Sequence, residues 1–453
     1  MKNRLAPLCL ALLVAACTDG TPGGGADAAD AATPPADAGG AVDVSTRRDA
    51  AIADTTTALA DAGADADAPP ASDAGKPATG TYVGFGAITR GAASSPNGYD
   101  VYRVSSLADD GTPGTLRDAV SRGRRHIVFD VVGTITLAQR LTIDVDYLTI
   151  DGASAGGAGI TIAQAPNTEH GVIVHGIKRH THDLVFSHIR FRGSYDTVKV
   201  HKVGTAIFSF DADCGKVSCA KTWSTVDAGI SAVVIDHVVV AYDRDKLTLW
   251  GKIRDVTISN SLFYGSTKAL LLSFYGAPYD LERDGISVYR NAFVENDERN
   301  PQLRGSIRSL EVVNNVVYGW GVYGMRIKNE VGEGKVDVNV INNTFIDNGK
   351  LASEALVYLG HAAPPSCLAQ GSVYAQSTMG KLWVAGNTLP ASNCDQYSTV
   401  SAPLSIAARA ALAAQPAAAS ACDVLASVGL AASARTSDEN TRLTRARSAA
   451  ACP

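Results

Sequence analysis

The chain has 453 residues, a formal net charge of −5 and eight cysteines. Its aspartates crowd into the first eighty residues, so the acidity belongs largely to that stretch, and the charge balance offers no support for binding nucleic acid. No Cys-x-x-Cys occurs, which leaves the common zinc and thiol–disulfide exchange signatures without a basis.

Lys2 and Arg4 precede an apolar run from Leu5 to Ala16, followed by Cys17. A short basic start, about a dozen apolar residues and small residues before a cut mark a secretory signal rather than a membrane span. Val14-Ala15-Ala16-Cys17 looks like a bacterial lipobox. The expectation is a lipoprotein-type signal over 1–17 with lipid on Cys17. The mature protein would then sit at the bacterial cell envelope, at the outer membrane, touching membrane through that anchor alone. Plain cleavage near Ala16 and secretion is the simpler alternative. Residues 18–79 are Ala, Asp, Gly and Pro with almost no bulk, too little apolar surface to offset the entropy of ordering, so they read as a disordered tether. The folded domain is 80–453. Six cysteines remain in it, and an oxidising compartment makes pairing reasonable. Their order suggests Cys214–Cys219, Cys367–Cys394 and Cys422–Cys452, with other pairings open.

Within the domain, 'GTPGTLRDAV' from Gly111 to Val120 reads as a turn entering a short helix, a helical N-terminal cap on the first coil. Short β-branched runs then recur: Leu141 to Ile150, Val172 to Val174, Leu184 to Phe186, Val233 to Ile235, Val256 to Ile258, Ile286 to Val288, Leu310 to Val313, Val338 to Ile341 and Leu382 to Val384. Alternation marks each as a strand with one buried face. After several runs comes an asparagine and then apolar residues: Asn260-Ser-Leu-Phe, Asn291-Ala-Phe, Asn314-Asn-Val-Val, Asn342-Asn-Thr-Phe. Asparagine tolerates left-handed turn conformations and bonds backbone locally, so a recurrence in every coil predicts a stacked ladder. The expected class is all-β, a parallel β-helix in which each coil covers the previous one's edge. A β-sandwich would not repeat the asparagine–apolar register. Helix period returns only at Ser405 to Leu412. Ala407 to Leu412 and the tail to Cys452 are expected to cover the far opening.

Arg299 to Arg304 read Arg-Asn-Pro-Gln-Leu-Arg, between the runs at Ile286 and Leu310. The proline fixes its own φ and keeps the residue before it out of helix. Two planar cations in such a turn beside a sheet suit a polyanion; a solvated turn with two surface arginines is the bland alternative.

These features, with 'GFGAITRGA' at Gly84, 'YRVSSLADDGTPGTLRDAV' at Tyr102, 'VVIDHVVVAYD' at Val233, 'DVTISNSLFYGSTKALL' at Asp255 and 'RNPQLRGSIRSLEVVNNVVYGWG' at Arg299, give the chain its resemblance. Over about 80 to 447 it resembles the pectate lyases and pectin lyases of polysaccharide lyase family 1. The resemblance implies a right-handed parallel β-helix, a monomer, and endo-acting β-elimination on (1→4)-α-D-galacturonan, with polygalacturonate or pectin as partner. It implies Arg299 as the base, and Lys268 and Arg304 as holders of substrate carboxylate. Asp236 and His237 match the family's 'IDH', and we read them as structural. The chemistry is coherent. Removing the C5 proton of a uronate places charge beside its carboxylate, where fixed cations stabilise it. An arginine accepts that proton only if neighbouring cations disfavour its charged form, which points to an alkaline optimum. Hydrolysis would need two flanking carboxylates instead.

Family pectate lyases also hold calcium, through acids that here fall at Arg244 and Thr248. Asp243, Asp245 and Asp227 are the nearest substitutes, a thin set for a cation that needs several oxygens. Arg244 and Lys246 offer the other solution, fixed cations in place of metal, as in pectin lyases acting on methylated pectin. A non-catalytic carbohydrate-binding β-helix at the cell surface is the alternative outside enzymes. The expectation is calcium-stimulated activity on pectate.

Overall fold

A run such as Val256-Thr-Ile-Ser sends alternate side chains to opposite faces and leaves a row of backbone donors and acceptors along each edge. The chain satisfies those edges by coiling. In the computed structural model, residues 82–166, 168–194, 206–212, 228–243, 245–273, 283–328, 335–348, 354–359, 380–390, 400–406 and 410–453 are described. Every strand pair in its three sheets is parallel, and strand n in each sheet pairs with the strand one coil further on. The fold is a right-handed parallel β-helix.

One sheet has ten strands, from Asp100–Val104 to Leu382–Ala385. A second has eight, from Leu141–Ile143 to Glu354–Leu359, and contains Lys268–Ser273. The third has eight, from Gly133–Leu137 to Thr344–Ile346, and contains Leu262–Tyr264. We call the last two the Lys268 sheet and the Phe263 sheet. Val256, Ile258, Phe263, Leu270 and Leu272 all enter one continuous interior. Each such side chain contributes about 1.5–3 kcal/mol when fully buried. Phe263 and Phe293 stack there one coil apart, ring centroids 4.9 Å.

The run from Leu141 to Ile150 is two strands rather than one. Leu141–Ile143 belongs to the Lys268 sheet and Leu148–Asp151 to the ten-stranded sheet, with a corner at Tyr147, φ 57°. The inward positions pass from Leu141 and Ile143 to Leu148 and Ile150, odd to even, and that break in alternation marks the corner.

The asparagines form two columns, not one. Between the ten-stranded sheet and the Phe263 sheet the chain turns on two residues. The first takes a left-handed conformation at His237, Asn260, Arg290, Asn314 and Asn342. The second builds the ladder: Asn291 Nδ2 donates to Asn315 Oδ1 at 3.0 Å, Asn315 to Asn343 at 2.9 Å, and Asn343 to Asn387 at 2.9 Å. Each acceptor oxygen also takes the backbone N–H of the preceding ladder asparagine. Grouping Asn260, Asn314 and Asn342 with Asn291 therefore mixed the left-handed turn residues with the ladder; Asn314, though buried, bonds Gln415 and Ser420 instead of a ladder asparagine side chain.

The helical segments also differ from expectation. Helix does not begin at Ser405: residues 400–406 and 410–416 hold none, and 407–409 lie outside the described residues. The helices are Ala417–Ser427 and Ser437–Ala449, after Pro416 and Thr436 respectively, the latter a capping box closed by Glu439. They do not seal the end of the coil. Val424, Leu425, Val428 and Leu443 pack on Val239, Leu262, Val294 and Val316, the outer face of the Phe263 sheet. That face is apolar and needs a cover, and the helices supply it. Cys422 is bonded to Cys452 across their ends. Near the start, Thr115 caps the short helix Leu116–Ala119, whose Leu116 and Ala119 are buried in the same cluster as Val104 and Ile127.

The segment after Tyr82 lies along the outer face of the ten-stranded sheet. Gly86 N–H donates to Thr257 Oγ1 at 2.9 Å and Ala92 N–H to Thr149 Oγ1 at 3.0 Å. A side chain at Gly86 would meet the Val233 carbonyl oxygen at 2.4 Å, so this close approach requires glycine.

Candidate active site

On the Lys268 sheet, Leu247, Leu249, Leu270, Leu272 and Leu303 turn inward. The alternate positions therefore form the outer face. Register places Ser209, Thr248, Leu271, Gln302 and Arg326 in one row across it, and Asp211, Trp250 and Ser273 in another.

Lys268 opens its strand, and Arg299 occupies the same level on the next coil. The backbone fastens the two together: Ala269 N–H donates to Glu298 O at 3.1 Å and Leu270 N–H to Arg299 O at 2.8 Å. Arg299 is left-handed, φ 63°, immediately before the cis Asn300–Pro301 bond. Asn300 is buried and donates to the Tyr323 carbonyl at 3.3 Å, while Asn296 donates to Asn300 Oδ1 at 3.1 Å. The turn carrying Arg299 is thus held from two sides. Arg304 follows the strand Gln302–Leu303, its N–H on Leu272 O at 2.9 Å. Tyr323 OH donates to Gln302 Oε1 at 2.8 Å, the Arg326 guanidinium lies 5.1 Å from the Tyr323 ring centre, and burial pushes the Tyr323 hydroxyl pKa up.

Sequence reasoning passed over Glu298. Its Oε1 lies 3.8 Å from Arg299 Nε and 4.0 Å from Lys268 Nζ, so one carboxylate stands beside both cations. The only signal was its adjacency to Arg299. Lys268 and Arg299 are each under a fifth exposed, which keeps water from screening their charge fully.

Asp236 and His237 sit on the opposite side of the coil, at the end of Gly229–Asp236. His237 Nδ1 donates to Asp236 Oδ2 at 2.7 Å, and Ser259 and Asn260 donate to Oδ1 at 2.6 and 2.8 Å. Burial pushes the Asp236 carboxyl up, but these bonds and the His237 charge outweigh it and hold it below the usual range. His237 also stacks on His188, centroids 4.8 Å. The geometry is that of a stack within the fold.

Of the three calcium candidates, Asp243 alone has a described side chain. Asp243 is 2 % exposed; its carboxylate accepts the Ile207 N–H, and its own N–H donates to Ser266 Oγ at 2.8 Å. It clamps two coils together and is not turned to the outer face, which corrects its reading as a metal ligand. Thr248 and its neighbour Ser209 are neutral. Asp211 is the one carboxylate in the two rows, and among the described residues no group of three or more His, Cys, Asp or Glu can hold a metal. The described residues therefore do not fit a calcium ion. Asp227 and Arg244 lie outside the described residues, as do the side chains of Asp245 and Lys246, and so do Cys17, Cys214, Cys219, Cys367 and Cys394.

The fold and site define a parallel β-helix that sets two cations, Lys268 and Arg299, at one level of adjacent coils. No family model matches the chain. It is 32 % identical over 269 residues to a probable pectate lyase C of Aspergillus flavus, covering 58 % of this chain and 52 % of the relative. A second match, pectate lyase 1 of Cryptomeria japonica, is 29 % identical over 258 residues, 54 % of this chain and 61 % of the relative. The chain spans about half the length of the Aspergillus relatives it matches. Among solved structures, the major allergen from cedar pollen shares the fold with a TM-score of 0.56 at 16 % identity, over 77 % of this chain and 92 % of that one. A pectate lyase does so with a TM-score of 0.52 at 13 % identity, over 81 % of this chain and all 100 % of that one. The chain is thus similar in sequence to pectate lyases over little more than half of its length, and it shares its fold with the two solved structures. The matched Aspergillus relatives are fungal proteins, not bacterial envelope or outer-membrane proteins, and this overturns the location expected from Cys17.

Proposed function

We propose that the chain is a polysaccharide lyase that cleaves polygalacturonate by β-elimination. The observation that carries this reading is the pairing of Lys268 and Arg299 at one level of adjacent coils, with Arg304 five residues on. In it, Lys268 and Arg304 hold the uronate carboxylate, so that charge developing at C5 meets cations already in place. Arg299 removes the C5 proton, the C4–O bond breaks, and a 4,5-unsaturated sugar remains at the new end. The leaving oxygen takes its proton from water. No step runs through a metal. Support also comes from the relatives, named as pectate lyases. The buried short helix Leu116–Ala119 we read as the cap that keeps the first coil ordered.

A second reading, action on methylated pectin, is favoured by one observation: the outer face carries the neutral Thr248 at one of the two positions where a calcium-dependent site would carry acids. One assay separates the readings. Polygalacturonate and methylated pectin are each incubated with the protein, and the absorbance of the unsaturated product is followed. We expect product from polygalacturonate at the higher rate. Reducing ends without that chromophore would overturn elimination, and product from methylated pectin alone would favour the second reading.

A further inference from the structure

The first coils hold a second cleft, away from Arg299, of about 670 Å³, within the usual range of about 300–1,000 Å³ for small-ligand sites. It is lined by the turns that feed the first strands of the ten-stranded sheet, at 95–100, 122–125, 145–147 and Arg179. Arg122 and Arg124 are exposed on it and carry no ion pair among the described residues. The Arg124 turn is pinned by backbone: Asp100 N–H donates to its carbonyl at 2.9 Å and its own N–H to Asp146 O at 3.0 Å. Arg179 pairs with Asp146, which also accepts the His182 N–H at 3.1 Å, so that carboxylate is already neutralised. With exposed Asp100 counted, the lining stays net positive. Tyr99 and Tyr147 are half-buried in the same walls, and the Tyr147 ring is fixed edge-on to His182, centroids 5.0 Å.

Two guanidinium groups with no ion pair among the described residues, beside two held phenol rings, match one ligand chemistry. Arginine forks take carboxylates in bidentate fashion, and an aromatic face takes the C–H face of a sugar ring. Phosphate would use the arginines but leave the rings without a role. The cleft adjoins the coil of Leu141–Ile143, five strands before Gln302–Leu303 in the Lys268 sheet. At about 4.8 Å per strand that is about 24 Å along the coil.

We propose that this cleft is a second, non-catalytic binding site for the uronate units of an acidic polysaccharide. It rests on the reading of the substrate as a uronate polymer. One long chain can then touch both sites, and the second contact raises apparent affinity for polymer without altering the reacting site.

The test is a double variant, Arg122→Gln with Arg124→Asn, asparagine being chosen because Arg124 is left-handed, φ 58°. Calorimetric titration with trigalacturonate should show two classes of site in the parent protein and one in the variant. Maltotriose and inorganic phosphate should fill neither. In turnover, the variant should show KM for long polygalacturonate raised at least about five-fold, with trigalacturonate cleavage unchanged. Equal titrations for parent and variant would overturn the proposal, as would a lost site that phosphate fills as well as trigalacturonate. The titration needs no turnover, so a protein that never makes unsaturated product would sink the lyase reading while leaving this result readable.

Discussion

Glu298 Oε1 lies 3.8 Å from Arg299 Nε, and Lys268 approaches the same oxygen to 4.0 Å from the neighbouring coil. The free protein thus keeps an internal carboxylate where the proposed chemistry places a substrate carboxylate. Glu298 is a fifth exposed, so the pairing is moderate in strength, yet it competes with whatever anion arrives.

Glu298→Gln should remove that competitor. KM for polygalacturonate is expected to fall about two- to five-fold, equivalent to about 0.5–1 kcal/mol. Initial rates over a range of polymer concentrations separate KM from kcat. A rise in KM would mean that Glu298 orients the two cations rather than competing for them.

Arg299→Lys keeps the charge and loses the planar guanidinium. We expect kcat to fall by about 100-fold or more, the usual scale for loss of a general base, with binding of polygalacturonate in affinity gels within about three-fold of the parent. Retained turnover would move the base elsewhere.

Chelation should leave more than half of the activity. The reason is local: Asp243 is committed to Ile207 N–H, and Ser209 and Thr248 are neutral. Activity on polygalacturonate is measured after EDTA treatment and again after calcium is restored. Abolition by chelator with recovery on calcium would restore the metal-dependent expectation.

The two asparagine columns predict unequal losses. Asn315 is 1 % exposed, donates to Val288 O at 2.9 Å and to Asn343, and accepts from Asn291. Asn315→Ala strands these buried partners and should cost about 2–4 kcal/mol, since each unsatisfied group costs about 1–3. Asn260→Ala loses one bond to Asp236 in a part-buried setting and should cost about 1 kcal/mol. Denaturant midpoints of the two variants test the order; equal losses would contradict it.

The attachment of the N-terminal segment should depend on pH. Asp183 accepts from Thr89 Oγ1 at 2.6 Å and His182 Nδ1 at 2.8 Å. Burial pushes the Asp183 carboxyl up, but the bonds from His182, Thr89 and Ser94 outweigh it and hold its pKa below 3.8. His182 is raised above 6.5, chiefly by its bond to Asp183. A depressed acid contributes stability that is present above 3.8 and is lost as pH falls through its folded value. A raised histidine contributes stability that is complete below 6.5 and is lost as pH rises through its folded value. Protection of the Gly91 and Ala92 amides against hydrogen exchange should therefore be highest between those limits and decline on both sides. Asp183→Asn should flatten the profile; an unchanged profile would refute the mechanism.

The architecture was legible because its signals are local. Strand alternation at Val256, Ile286 and Leu310 needs only the two-residue period of the backbone, and Arg-Asn-Pro-Gln-Leu-Arg carries its conformational constraint within six residues. The recurrence of asparagine after strands likewise announced stacked coils.

What the chain order by itself determined, then, was the coil, its turn chemistry and the cations at Lys268, Arg299 and Arg304. Which asparagine of each turn enters the buried ladder was decided by the alignment of neighbouring coils, which brings Asn291, Asn315, Asn343 and Asn387 into hydrogen-bonding register. The same holds for Glu298 beside Lys268, residues thirty positions apart that meet because parallel strands repeat at about 4.8 Å. The terminal helices lie on a sheet flank rather than over the coil's end because Val239, Leu262, Val294 and Val316 present an apolar face there. Asp243 left the outer face for the same kind of reason: an amide on an adjacent coil, Ile207, holds its carboxylate. Periodicity records which way a side chain points along its own strand; its partner is set by what the next coil brings alongside.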